Sequence, residues 1–153
     1  MQRLETKVPP PLVALLCGAL MAWIDANTLQ LALPAALNWT LIAALVLAGI
    51  GFDFAGLYAF RRRRTTVNPL HPEKASALVC DGVYRITRNP MYVGMTCFLT
   101  AWALYLDAPL AWLGVALFVA FITRFQIIPE ERMLARLFGA GFDAYRTRVR
   151  RWL

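Results

Sequence analysis

Two short stretches of this chain carry residue types able to do chemistry. The first reads Gly82-Val83-Tyr84-Arg85-Ile86-Thr87-Arg88-Asn89-Pro90-Met91-Tyr92-Val93-Gly94. Asn-Pro ahead of an apolar run is a helix start, with Asn89 as N-cap and Pro90 in the first helical position. The free backbone N–H groups of such a turn hold anions, and Arg85 and Arg88 add charge beside them. Tyr84 and Tyr92 offer aromatic faces, and Gly94 admits close approach of a ligand or another helix. The second stretch is Pro129-Glu130-Glu131, followed by Arg132. Paired carboxylates there suit the hydroxyls or the ammonium of a ligand. Each stretch also has a plain structural account: a capped membrane helix for the first, and acidic residues at a helix N-terminus marked by Pro129 for the second.

The elements that must position these residues are apolar. Of 153 residues, 59% are hydrophobic and 16% charged, which is not the balance of an ordinary soluble domain. Hydrophobic stretches fall at 11–31, 35–60, 91–106 and 109–128. A span needs about 20 apolar residues; the second stretch meets that, and the others meet it with tilting or partial immersion. Arg3 and Lys7 precede the first. Arg61 to Arg64, Lys74, Arg85 and Arg88 separate the second from the third, and the remaining arginines, from Arg124 on, lie at the end of the fourth or beyond it. The opposite connections, around Asp25–Pro34 and Asp107–Pro109, hold no Lys or Arg. Positive charge stays inside. The expectation is therefore an all-α integral membrane protein with about four transmembrane helices, both termini cytoplasmic, a cytoplasmic loop and short amphipathic C-terminal helices. It forms a single domain over 1–153, with an N-terminal helical hairpin at 1–60 and the chemistry in 61–153. In a bacterium the site would be the inner membrane.

Several other classes are disfavoured. The net charge of +7 flanks apolar helices, so anionic lipid headgroups explain it better than nucleic acid does. Cys17, Cys80 and Cys97 are scattered, and with His71 as the only histidine they form no metal site. Arg3 and Lys7 before an apolar run suggest a signal peptide, but Pro34 interrupts the small-residue pattern near Ala32 and Ala35, and the segment reads as a retained helix. A transporter would carry more ionisable groups within its spans than Asp53. Asp53 lies roughly 10 Å inside the second span by helical rise; it either pairs with a basic residue such as Arg124 or lines a site. Within 61–90 the prolines Pro69 and Pro72 make the middle non-helical. After Pro129, Met133, Leu134, Leu137 and Phe138 form one apolar stripe, and Phe142, Tyr145, Val149 and Trp152 another. Gly139 and Gly141 separate them, as in helices lying on a membrane surface.

Taken together, the two stretches resemble the integral-membrane methyltransferase family that includes isoprenylcysteine carboxyl methyltransferases and phospholipid N-methyltransferases. Its Arg-His-Pro-x-Tyr-x-Gly pattern is matched by Arg88-Asn89-Pro90-Met91-Tyr92-Val93-Gly94. Its acidic pair leading to Leu, Phe-Gly, Tyr and Arg-Val is matched by Glu130-Glu131-Arg132-Met133-Leu134, Phe138-Gly139, Tyr145 and Arg148-Val149. The resemblance covers roughly 55–153. Asn89 stands in place of the common His, and Phe142 in place of a frequent Tyr. The resemblance implies S-adenosyl-L-methionine bound at the cytoplasmic end of the helices and a lipophilic acceptor entering from the bilayer. Cofactor binding then falls to Tyr84, Arg85, Arg88, Asn89, Pro90, Tyr92, Gly94, Glu130 and Glu131. Arg124, placed to orient an acceptor carboxylate or phosphate, and Glu130 become the candidate catalytic residues. No obvious general base is present, which mildly favours a carboxylate acceptor such as an isoprenylcysteine. The alternative is a non-enzymatic scaffold or lipid-binding subunit in which both stretches serve only as helix caps.

Overall fold

Prolines and glycines set most of the boundaries. The structure, a computed structural model, describes residues 5–27, 35–63 and 77–153. Helix α1 spans Pro10–Asp25, with a proline in its first turn where a missing N–H does no harm. Helix α2 spans Ala35–Arg63. A single 3-10 turn at Gly82–Arg85 precedes α3, which spans Pro90–Leu106 and stops at Asp107 in the left-handed conformation. Helix α4 covers Trp112–Ile122, passes through a π-turn at Thr123–Ile127 and continues as α5, Ile128–Phe138. Gly139, at φ 49, turns the chain into α6, Ala140–Arg148. Gly141 lies inside α6 and separates nothing. No strand occurs among the described residues. The expected loop between α2 and the 3-10 turn lies largely outside them, together with His71, Arg64 and Lys74.

Two helical stretches, Ala36–Arg62 and Pro109–Phe138, are long and apolar enough to cross a membrane. Helices α1 and α3, with 16 and 17 residues, are apolar but reach only about 24–26 Å at 1.5 Å per residue, short of a roughly 30 Å core. Two of the about four expected spans are thus found among the described residues, with two shorter apolar helices packed beside them.

Helix α3 is central. Its near-continuous apolar sequence buries faces against α2, α1 and α4. Along α2 the pairing runs antiparallel. A Cβ on Gly49 would meet the Phe98 ring at 2.8 Å, and one on Gly56 would meet Met91 at 3.1 Å. Small residues let these backbones approach closely. The core on the other side joins Val13, Cys17 and Met21 of α1 to Leu99 and Ala103 of α3 and to Phe118, Ile122 and Ile127. Trp102 Nε1 donates to the Gly18 carbonyl at 3.1 Å, tying α1 to α3; α1 runs antiparallel to α4, with Thr6 at Phe125 and Met21 at Gly114. Leu47, Phe54 and Tyr58 of α2 stay exposed, as a lipid-facing helix requires. This arrangement gathers the start of α1, the end of α2, the start of α3 and the π-turn at one end of the bundle.

Candidate active site

At that end, the start of α3 meets the start of α5. Helix α3 does begin at Pro90 with Asn89 in the cap position, but the Asn89 side chain does not cap it. Asn89 Nδ2 instead donates to the Arg151 carbonyl at 2.8 Å, and Thr87 Oγ1 donates to the same oxygen at 3.2 Å. Arg88 N–H donates to the Arg150 carbonyl at 3.0 Å. The C-terminal tail therefore docks along Thr87–Asn89 by backbone pairing. The expected anion site on the first-turn N–H groups is mostly used up. Asn89 N–H donates to Thr87 Oγ1 at 3.2 Å, Pro90 has no N–H, and Tyr92 and Val93 N–H donate to the Asn89 carbonyl.

Positive charge at this place comes from side chains. Arg88 Nη2 lies 2.8 Å from Glu131 Oε1, and Arg151 Nη2 lies 2.7 Å from Glu131 Oε2. One carboxylate thus joins the third helix, the fifth helix and the tail. Arg88 is nearly buried, and its Nε has no hydrogen-bond partner. Its Nη1 donates to the Arg146 carbonyl at 3.2 Å, so the guanidinium is held in place by the fifth and sixth helices.

Glu130 has other partners than Glu131. The Tyr92 hydroxyl donates to Glu130 Oε1 at 2.7 Å, and Gln126 Nε2 donates to the same oxygen at 3.1 Å. Glu130 lies beyond the apolar run 109–128 but inside the helical stretch Pro109–Phe138. The sequence showed no obvious base; a carboxylate held between a hydroxyl and an amide makes Glu130 a candidate proton acceptor.

The path of the backbone changes the account of both glutamates. Pro129 does not start a helix after a break. Helix α4 runs through the π-turn into α5 with helical dihedrals on both sides. No free helix N-terminus exists there, so Glu130 and Glu131 do not cap one. π-Turns recur at functional sites; here the extra residue sets the facing of Gln126 and Glu130.

Other expected residues stand elsewhere. The ring of Tyr84 is buried edge-on against Phe60 at 5.5 Å, beside Val79, Phe142 and Tyr145. Its carbonyl accepts the Tyr145 hydroxyl at 2.7 Å. Phe142 is thus core, and no hydroxyl is needed there. Arg85 is exposed. Arg124 pairs with Glu5 at 3.0 Å and stacks over the Phe125 ring, 5.3 Å from its centroid. It pairs with neither Asp53 nor the twin glutamates. Gly94 takes a helix and not open space: a Cβ there would collide with the Asp53 carboxyl and lie 3.0 Å from the Gly49 carbonyl. Asp53 Oδ1 is buried there without a hydrogen-bond partner.

Three contributors escaped the sequence reading. Gln126, a polar residue inside an apolar run and four before Glu130, gave a usable signal. Arg151 gave none, because it sat in a run of arginines explained by membrane charge. Glu5 gave none either.

An apolar groove of about 580 Å³ lies along α1 and α3, bounded by Pro11, Gly18, Ala22, Met95, Phe98 and Trp102. Met95 follows Tyr92 by about one helical turn, so the groove begins near the polar end.

A family model described as phospholipid methyltransferase matches residues 37–141, a range that holds α2, α3, the π-turn and both glutamates. A protein of Haemophilus influenzae, described only as uncharacterized, is 46% identical over 63 residues, which is 41% of this chain and all of that protein. No solved structure matches the chain.

Proposed function

This chain belongs to the phospholipid methyltransferase family, and we propose that it transfers the methyl group of S-adenosyl-L-methionine to a lipophilic acceptor held in the membrane. The convergence of Arg88, Tyr92, Glu130, Glu131 and Arg151 at one end of the bundle carries the reading. The residues fit the cofactor's chemistry. The guanidinium groups of Arg88 and Arg151 suit its carboxylate, the glutamates suit its amino group and ribose hydroxyls, and the partly buried setting suits an electrophilic sulfonium. When bound, the cofactor supplies the methyl group; Arg88 and Glu131 orient it, and the docked tail excludes water. The groove on α1 and α3 gives the acceptor's hydrocarbon part a place beside α3. Both termini and the basic end face the cytoplasm in this reading, at the inner membrane if the source is bacterial.

Two acceptor classes compete. An isoprenylcysteine-like carboxylate needs no base. A phospholipid amine must lose a proton, and Glu130, a carboxylate held at the site by Tyr92 and Gln126, favours this second class. Glu130 takes the proton directly or through one water in that case.

Calorimetric binding of S-adenosyl-L-methionine and its demethylated product to purified protein tests the reading. We expect binding by the wild type and at least tenfold weaker binding by Glu131→Gln, about 1.4 kcal/mol or more. Absence of binding by a folded wild type removes the enzymatic reading and leaves a membrane scaffold. Labelled methyl incorporation into extracted lipids then identifies the acceptor.

A further inference from the structure

We propose that Glu5 and Thr6 form a positioning strap that holds the π-turn and keeps Glu130 on Tyr92. Glu5 lies outside the residues that the family model matches, and no contact of the twin glutamates reaches it. Pro129 leaves a carbonyl without its helical partner. In a helix its N–H would bond the Phe125 carbonyl four residues back, but proline has no N–H and its ring crowds that oxygen. The Phe125 carbonyl is therefore left over, and the Thr6 N–H takes it at 3.0 Å. Thr6 stands at φ 55, in the left-handed region that a β-branched residue seldom enters. That backbone is held by its surroundings.

The adjacent residue completes the hold. Glu5 Oε1 accepts from Arg124 at 3.0 Å, and Glu5 Oε2 pairs with Arg132. The carboxylate of Glu5 is 15% exposed, while Arg124 and Arg132 are 44% and 50% exposed, so the acid is the shielded member. Arg124 and Arg132 flank the stretch that carries Gln126 and Glu130. One carboxylate therefore ties Arg124, inside the π-turn, to Arg132 in α5, and its neighbour fills the hydrogen bond that Pro129 leaves open. A π-turn has neighbouring α-helical and bulged registers within reach. A one-residue shift would turn Glu130 away from the Tyr92 hydroxyl. The strap selects the register that keeps the contact.

The effect on ligand binding rests on the methyltransferase reading; the effect on the helix does not. The test uses the full chain in lipid nanodiscs, as wild type, Glu5→Gln and Glu5→Asp. Hydrogen exchange of the amides from Gln126 to Arg132 is followed by mass spectrometry, alongside S-adenosyl-L-methionine affinity and the melting temperature. Glu5→Gln should speed exchange in that stretch by about fivefold or more, since local opening reports local stability, while α2 and α3 exchange as before. Affinity should fall several-fold with the melting temperature nearly unchanged, and Glu5→Asp should recover part of both. Unaltered exchange from Gln126 to Arg132 in Glu5→Gln overturns the strap, and so does acceleration spread equally over all helices. If the wild type binds no cofactor, the exchange measurement still decides the strap while the methyltransferase reading falls.

Discussion

Glu130 accepts hydrogen bonds from the Tyr92 hydroxyl at 2.7 Å and the Gln126 amide at 3.1 Å. Tyr92→Phe removes the first of these donors. Stability should fall by about 1–2 kcal/mol from the lost bond, measured by thermal unfolding; an unchanged melting temperature would contradict the contact. At this scale the sequence was readable in part. Arg88, Tyr92 and the glutamates stood out because charged and aromatic residues flank apolar runs. Their pairing did not, since it depends on which face of each helix turns inward.

Between helices, the decisive contact is the crossing of α2 and α3 at Gly49, Asp53 and Gly94. Gly94→Ala places a methyl group against the Asp53 carboxyl and the Gly49 carbonyl, and overpacking of this kind costs about 1–3 kcal/mol. Asp53→Ala in the same chain should restore part of that loss, because one of the two obstructing groups is gone. Thermal unfolding of both variants in detergent checks the pair, and equal losses in the single and double variants would refute the contact. Helix starts were nearly legible: the first stretch, expected from 11, begins at Pro10, and α3 begins at Pro90 as the Asn-Pro pair predicts. The continuity of α4 with α5 was not. A proline after an apolar run reads as a boundary, and only the π-turn, with a neighbour's N–H on the spare carbonyl, lets the helix pass through it.

Across the molecule, the ends of the helices sort by charge. Arg61 and Arg62 at the end of α2, Arg88 before α3, and Arg132 and Arg151 all fall at the end of the bundle that holds the site, while Asp25 and Asp107 fall at the other. If that end faces the cytoplasm, single cysteines at Arg62 and Arg150 on a cysteine-free background should react with an impermeant thiol reagent only after the inner face is opened. One at Asp107 should react in intact cells. Labelling of Asp107 and Arg150 from the same face would refute this orientation. Composition alone determined that the chain is helical and apolar, and the order of its motifs determined the family, because both are properties of local sequence. Only the packed structure decided that Glu131 unites Arg88 with Arg151, that Glu130 lies under Tyr92, and that Glu5 reaches the π-turn. Those contacts join residues 20 to 127 positions apart. Helix periodicity gives the face a side chain occupies, but not which distant face it will meet.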